Sequence, residues 1–579
     1  MNRKAFFIFI VIFSFQFISC IQEIKERVIV FEIKFKKTII DLFERDSIFE
    51  NIIQPTTFHP DEFSEQGRVY YYIKVFGLMK YCTNEKINHN INTRFLQNYE
   101  TIKNATNREQ FNNLINEVFL LSNFDNVNNT NIDWLNNTTY FDDNTINHIL
   151  TIYSTFMNSK NSCLSQNNIG LVKVKDKDKP QDFDSLFPSE ATRIWGLANY
   201  WNYINYFWVY KPLMDANWDS VLYSQIPNFI VANDAKEYNL AVLKLVAFTD
   251  DNHSILRSEI IANEIFGSNI PNFKMKKIDD IFVVKECLTN RTYTPSDTLI
   301  KPGDIIHAIN GVAVNELYDS LKNYVASSNE WTKSRNINFR ILRSLQKNNQ
   351  ITFSRNCKTD TVNLTYFHYH DYLKYKESIE NKQNQLPVII KKETGYVHID
   401  DIHSNNFNKT MKELSKAKNI ILDVRGYPNK NVSSLLVYHL LPPNTNFFKS
   451  TYPDIHNQGF IKVEKGHVVG KKHAFVNKRI VVLVDETTQS AAEFLVMALQ
   501  QLNNVTTIGS YTSGADGNVI IWNFPGKIES YLSGIGILYP DNTITQRKGI
   551  KIDYIIEPTV EDYQAGKDAI LDYAYSFLE

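Results

Sequence analysis

Two apolar runs in the last third of the chain constrain its fold more than any other feature of the sequence. Residues 419–424 and 479–484 are rich in Ile, Val and Leu, and polar turns follow them. Short runs of this kind are typical of buried strands, and helical patterns occur beside them at 408–416 and 491–502. Strands that alternate with helices predict an α/β fold for this region.

Composition excludes several classes of protein for the chain as a whole. Its 579 residues correspond to roughly four structural units. Hydrophobic residues make up 43% and charged residues 22%, which is typical of a globular protein. A net charge of −1 gives no basic footprint for nucleic acid, and no Gly-rich phosphate loop indicates a nucleotide.

The N-terminus has the pattern of an export signal. Basic residues at 1–4 precede an apolar run over 5–15 and a small residue, Ser19, before Cys20. Residues 1–20 are therefore predicted to be a signal peptide, which places the protein in the periplasm or at the cell surface. Cys20 is a candidate for lipidation and membrane anchoring; ordinary cleavage and an uncleaved anchor are the alternatives, because Phe17 stands where lipoproteins usually have Leu.

The sequence predicts no metal and no cofactor. The remaining cysteines, Cys82, Cys163, Cys287 and Cys357, do not have metal-ligand spacing. His368 and His370 would share one face of a strand, but no second ligand motif accompanies them. They are interpreted as part of a solvated strand edge.

The first half of the chain divides into two predicted parts. Residues 21–175 form an N-terminal module of unknown role, with a strand pattern at 28–33, and residues 185–275 form a helical part. Similar aromatic helical patterns occur at 68–81 and 193–206. They indicate either an internal duplication or two amphipathic helices with aromatic core faces.

Short strands are predicted between residues 276 and 368. A Pro302-Gly303-Asp304 turn precedes an apolar strand, and the Asn310-Gly311 pair that follows is a strong hairpin signal. This order resembles a PDZ domain, although another small β-barrel with a tight hairpin has the same pattern. The resemblance implies binding of an extended peptide as an added strand, with residues 281–284 as the candidate strand.

Ser490 stands between a predicted strand end and a predicted helix start. The side chain is sterically open there because alanines follow it, and the amides at a helix start favour negative charge. This placement suits a nucleophile whose attack creates an oxyanion. A plain helix cap is the alternative role.

Four ordered motifs resemble the C-terminal processing (tail-specific) serine peptidases, in particular their tricorn-core-like branch. They are Leu-Asp-Val-Arg-Gly at 422–426, Val-Asp-Glu-x-x-x-Ser-Ala-Ala-Glu at 484–493, Gly-Ser-Tyr-Thr-Ser-Gly at 509–514 and Gly-Ile-x-x-Asp at 549–553. The resemblance covers about 185–579. It implies a ClpP/crotonase-like α/β catalytic core over 385–579, a PDZ-like β domain over 276–368 and a mainly helical N-terminal module.

The resemblance also implies roles for individual residues. Ser490 matches the nucleophile, and the backbone amides of Ala491 and of the turn that begins at Gly426 match the oxyanion hole. Ala515 occupies the position where processing peptidases have a catalytic Lys, so a Ser–Lys pair is absent. His253 matches the general base of the tricorn-like branch.

The sequence offers several candidates for the group that orients this histidine. Gln546 occupies the position of the acid in the branch, and a Gln can hold an imidazole tautomer but stabilises an imidazolium less than a carboxylate does. Asp251 and Glu493 are the candidates for a supporting charge, with Asp250 as a further possibility.

These observations predict an exported serine endopeptidase that cleaves peptides or unstructured protein tails. A catalytically inactive peptide-binding protein of the same fold is one alternative, and a carrier of hydrophobic ligands is another. The expected partner is a peptide or protein substrate, not nucleic acid. The sequence does not indicate an oligomeric state.

Overall fold

The computed structural model describes residues 50–51, 58–60, 62–83, 89–119, 132–136, 138–156, 161, 163–175, 178–288, 299–380, 386–470 and 474–579. The signal peptide, Cys20 and the strand pattern at 28–33 lie outside these residues. Within them, no helix combines the length and the apolar character needed to cross a bilayer. Cys82 and Cys357 are free thiols, the first buried and the second exposed.

The N-terminal region is mainly helical, as predicted. Its elements are β1 (Glu50–Asn51), α1 (Glu65–Tyr81), α2 (Ile91–Lys103), α3 (Arg108–Phe119), α4 (Asp133–Asn136), α5 (Asp143–Phe156), β2 (Leu164–Gln166) and β3 (Val172–Val174). Helix α1 begins where the Ser64 hydroxyl accepts a hydrogen bond from the Gly67 N–H at 3.1 Å. This N-cap satisfies one of the amides that the first helical turn leaves without a partner.

Three more helices follow and complete the helical layer. They are α6 (Glu190–Phe207), α7 (Trp218–Val231) and α8 (Ala235–Ala247). Helix α6 packs directly on α1: the Asn202 amide donates to the Ile73 carbonyl at 2.9 Å, and Gly77 leaves the space that the Asn202 side chain fills. Both helices are buried on almost every side, so they are central core helices and not amphipathic ones.

An antiparallel β region with its own hydrophobic core follows. Its elements are β4 (Leu256–Arg257), β5 (Asn269–Ile270), β6 (Phe273–Ile278), β7 (Ile281–Cys287), β8 (Ile305–Ile309), β9 (Val312–Ala313), α9 (Val314–Leu321), α10 (Glu330–Ile341), β10 (Asn348–Arg355), β11 (Lys358–Thr365), β12 (Phe367–His368) and α11 (Tyr369–Glu380). The main sheet of this region has the order β11-β10-β8-β7-β6. Buried apolar residues of its strands and helices form a hydrophobic core separate from the larger one.

The structure confirms the hairpin at Asn310-Gly311 and corrects the reading of the two histidines. Asn310 and Gly311 have φ values of 52° and 79° and form the two-residue loop between β8 and β9. His368 ends strand β12, whereas His370 lies in the first turn of α11. They do not share a strand face, because the chain changes to helix between them.

The C-terminal region is the predicted α/β fold. Its elements are β13 (Ile389–Lys391), β14 (Thr394–His398), α12 (Phe407–Leu414), β15 (Asn419–Asp423), α13 (Val432–Leu440), β16 (Pro443–Pro453), β17 (Phe460–Val469), β18 (Arg479–Val484), α14 (Ala491–Leu499), β19 (Val505–Gly509), β20 (Val519–Phe524), β21 (Ile528–Ser533), β22 (Gly536–Leu538), β23 (Tyr554–Ile555), α15 (Val560–Gln564) and α16 (Ala569–Leu578). The main sheet has the order β13-β14-β15-β18-β19-β23.

The main sheet explains the two apolar runs. Strands β14, β15, β18, β19 and β23 are parallel, and every residue of β15 is buried. Parallel strands covered on both faces need no polar side, which is why the two runs lack alternation. The carboxyl ends of β15 and β18 meet at the same edge of the sheet.

A smaller sheet joins the C-terminal region to the helical layer. Strand β21 pairs with β20 on one side and with β4 on the other, where Ser530 stands opposite Leu256. Strand β4 begins three residues after His253. The pairing therefore fixes the position of the segment that carries this histidine against the α/β region.

Candidate active site

Ser490 lies in a strained turn between β18 and α14. Its φ of 55° is unusual for a residue other than glycine, and its side chain is partly exposed. The Ser490 N–H donates to the Ala515 carbonyl at 2.9 Å, which ties the turn to the neighbouring loop. Such strain persists only where the surroundings impose it, and it is concentrated at functional sites.

Glu493 ties this turn to the neighbouring 512–515 loop through hydrogen bonds. The carboxylate is fully buried and accepts hydrogen bonds from the Ser490 N–H at 3.2 Å, the Thr512 hydroxyl at 2.6 Å, the Gly514 N–H at 2.8 Å and the Ala515 N–H at 3.1 Å. Burial raises the pKa of Glu493, and these hydrogen bonds oppose that shift. Among the described residues Glu493 makes no hydrogen bond or ion pair with His253, so its observed bonds support the Ser490 turn and not the imidazole.

Replacing Glu493 with Ala should destabilise the fold by roughly 3 kcal/mol, because several buried donors lose their acceptor together. The midpoint of urea unfolding, followed by circular dichroism, measures the change. The matched control is Glu413→Ala, which removes a partly exposed surface ion pair with Lys416 and should cost less than about 1 kcal/mol. Equal midpoints for the two variants would contradict this role.

The loop 250–254 holds His253 against strand β21. His253 Nδ1 lies 2.8 Å from the Ser533 Oγ, and the same hydroxyl lies 3.0 Å from the Asp251 Oδ1. Asp251 Oδ2 accepts the Ser533 N–H at 2.8 Å. His253 is 8% exposed, and this burial lowers its pKa, while the charge of Asp251 acts in the opposite direction.

Gln546 bonds to Asp251 of this group and not to the imidazole. Its amide nitrogen donates to Asp251 Oδ1 at 3.1 Å. Across the described part of the chain, no hydrogen bond joins Gln546 to His253. The expectation that Gln546 holds the tautomer directly is therefore wrong, because Asp251 and Ser533 occupy the Nδ1 side of the ring.

The loop that carries His253 and the turn that carries Ser490 are in contact. The Asn252 side-chain amide donates to Gln489 Oε1 at 2.6 Å, so the residues directly before His253 and Ser490 are bonded to each other. Asn336 of α10 donates to Asn252 Oδ1 at 2.7 Å and supports the same loop. In the ranges that the structure describes, Ser490 and His253 themselves share no hydrogen bond.

The two backbone amides matched to the oxyanion hole differ in whether their N–H groups are already used in a hydrogen bond within the protein. Ala491 is the first residue of α14, where an N–H has no acceptor within the helix. The Gly426 N–H, in contrast, donates to the Val424 carbonyl at 2.9 Å. The Thr488 hydroxyl donates to the same carbonyl at 2.8 Å and holds the Gly426 turn beside the Ser490 turn.

A groove with a volume of about 670 Å³ opens beside this site. Its lining includes Phe273 and Met275 of β6, Trp331 and Phe339 of α10, and Glu486 and Thr487 of the turn before Ser490. Strand β6 is the edge strand of its sheet, whereas β7, which contains residues 281–284, is paired on both sides. The predicted peptide-binding strand was therefore wrong, because a central strand has no free edge.

Ser533 is a residue of this site that the sequence did not indicate. It lies 280 residues after His253 and ends an ordinary strand with alternating burial. None of the four family motifs includes it. Its proximity to His253 follows only from the pairing of β21 with β4, which no local pattern encodes.

The fold and this arrangement define an α/β core that presents a serine at a strand-to-helix turn. Residues 393–556 match the model of Peptidase family S41, which supports a peptidase domain of this type in that part of the chain. No curated protein matches the sequence significantly.

Several solved structures are similar to this chain, and the likeness to CPAF extends to the fold. Mature CPAF complexed with lactacystin is 12% identical with a TM-score of 0.51, covering 67% of this chain and 97% of that one. A putative peptidase from Parabacteroides merdae is 17% identical with a TM-score of 0.41, covering 68% and 97%. The photosystem II D1 C-terminal processing protease is 15% identical with a TM-score of 0.39, covering 66% and 99%.

Proposed function

We propose that this protein is a serine-type endopeptidase in which Ser490 is the nucleophile. The observation that carries the proposal is the contact between the Ser490 turn and the His253 loop, made by Asn252 and Gln489. This contact joins the loop of a buried imidazole to a turn with a hydroxyl at a helix start, and that turn lies within the residues that match Peptidase family S41. Neither group alone could activate and stabilise an attack on an amide.

The reaction that these groups support is acyl transfer in two stages. The Ser490 Oγ attacks the peptide carbonyl, and His253 accepts the hydroxyl proton and passes it to the leaving amine. Water then hydrolyses the acyl-enzyme with His253 again as the base. The Ala491 N–H donates to the oxyanion during both stages. Gly426 can be the second donor once its amide rotates away from the Val424 carbonyl.

The groove beside β6 supports a peptide as the substrate. An extended chain can pair with the free edge of β6 and place apolar side chains between this strand and α10, as in PDZ-like recognition. The lining of the groove includes Glu486 and Thr487, only a few residues before Ser490. Because strand addition needs an extended backbone, unstructured protein tails are the proposed substrate class.

We further propose that the protein is exported and that Cys20 is either lipidated or lost with the signal. The support is the basic start, the apolar run and the Ser19-Cys20 pair in residues 1–20. The mass of the mature N-terminus, measured after expression in a secreting host, decides between cleavage, lipidation and retention.

An alkyl fluorophosphonate tests the proposed chemistry directly, because it traps only an activated serine. We expect one covalent adduct per chain, located on Ser490 by peptide mass spectrometry, and none in the Ser490→Ala variant. Cleavage of an unstructured peptide should stop when one fluorophosphonate group is bound per protein chain. Peptide binding without any adduct would instead identify a non-catalytic peptide-binding protein, for which the Gln546 and Ala515 substitutions are the supporting observation.

A further inference from the structure

We propose that Ser533 is the positioning residue for His253 and that it connects the imidazole to Asp251, which replaces the acid missing at position 546. This inference rests on the proposed function, because it assigns how the base of that site is oriented. It starts from three buried groups on two segments that are 280 residues apart. Ser533 is fully buried, and Asp251 is fully buried as well.

The direction of each hydrogen bond follows from the chemistry of the groups. The Asp251 carboxylate can only accept, so the single Ser533 hydroxyl proton is directed to Asp251 Oδ1 at 3.0 Å. The Ser533 Oγ then has only lone pairs for its contact with His253 Nδ1 at 2.8 Å. The neutral imidazole must therefore carry its proton on Nδ1, and Nε2 retains the lone pair that a general base needs.

Several further hydrogen bonds hold the Asp251 carboxylate in the position from which it accepts the Ser533 hydroxyl proton. Besides the Ser533 hydroxyl, it accepts the Ser533 N–H at 2.8 Å, the Gln546 amide at 3.1 Å and the His253 N–H at 3.2 Å. Gln546 acts as a donor here, which a Glu at this position could not do when ionised. Gln546, Asp251 and Ser533 therefore act together to orient the imidazole, in place of a direct contact between a carboxylate and the histidine.

The site also explains why a direct contact is absent. Asp251 Oδ1 lies 3.9 Å from His253 Nδ1, which is too long for a hydrogen bond. The Ser533 hydroxyl fills this gap with bonds of ordinary length on both sides. Among the described residues, Nδ1 has no other hydrogen-bond partner, and Nε2 has none.

The test compares Ser533→Ala with Ser530→Ala. Both serines lie on β21 and both are fully buried, but the Ser530 hydroxyl donates to the Tyr531 carbonyl and not to the site. We expect Ser533→Ala to lower kcat roughly 100-fold with little change in KM, because the base loses its fixed tautomer. Ser530→Ala should keep kcat within about threefold of the wild type, and Ser533→Thr, which keeps a hydroxyl, should recover part of the loss.

A second measurement does not depend on activity. Proton–nitrogen correlation spectra of protein labelled with ¹⁵N-histidine report which ring nitrogen carries the proton, and the His253→Ala variant identifies the His253 signals. We expect the Nδ1–H form in the wild type and in Ser530→Ala, and its loss in Ser533→Ala. An unchanged tautomer in Ser533→Ala overturns the inference even if the enzyme is active. The expected tautomers in a protein without hydrolytic activity would support the inference and refute the peptidase proposal instead.

Discussion

Replacing Ser490 with Ala should reduce peptide hydrolysis to the background rate, a loss of roughly 10⁴- to 10⁶-fold in kcat. The variant removes only the Oγ that attacks the carbonyl. The Ala491 N–H, the groove beside β6 and the His253 loop stay in place, so peptide affinity should change little. Cleavage of an unstructured fluorogenic peptide and binding of the same peptide, measured on one preparation, separate the two effects.

The control for this variant is Ser415→Ala. Ser415 is an exposed residue at the end of α12, and its hydroxyl donates to the Lys412 carbonyl. It should retain full activity and the wild-type melting temperature. A Ser490→Ala protein that hydrolyses the peptide at the wild-type rate would rule out Ser490 as the nucleophile and with it the proposed mechanism.

Replacing His253 with Ala should lower kcat about as strongly as the loss of Ser490, by roughly 10⁴-fold or more, since the two groups act as one unit. The double variant should therefore be no worse than either single variant. Additive losses would contradict a shared step. Comparison of kcat for the two single variants and the double variant, all at one pH, measures this coupling.

The wild-type pH profile gives a second measure of His253. A general base must be neutral, so kcat/KM falls as the pH drops through the pKa of His253. Burial lowers this pKa below the ordinary histidine value of about 6.5. The acid limb should lie below that value. A limb clearly above it would mean that another group, or a more solvated histidine, controls the rate.

The sequence predicts those parts of the fold that local patterns determine. The buried runs at 419–424 and 479–484, the helical N-terminal region and the Asn310-Gly311 hairpin are all confirmed. Each depends on residues close together in the chain, such as continuous apolar strands or a turn that needs positive φ. The motif around Ser490 is equally local, which is why it could be singled out.

The remaining parts of the site depend on contacts between distant segments. Glu493 belongs to the Ser490 motif, yet most of its partners are in the 512–515 loop, and the sequence could not show that it bonds there and not to His253. The orienting role expected of Gln546 was wrong for the same reason. Gln546 bonds to Asp251, and Asp251 in turn bonds to Ser533. Asp251 and Ser533 are far apart in the sequence, and the pairing of β21 with β4 brings them together.

That pairing has a consequence for when the enzyme can act. A polypeptide still emerging from the ribosome holds its imidazole long before it holds the strand that orients it, because β21 is added some 270 residues later. Under the proposed mechanism, a chain that lacks β21 has an imidazole without its orienting hydroxyl and should not hydrolyse peptides. In that mechanism the finished tertiary structure is itself the safeguard against premature proteolysis.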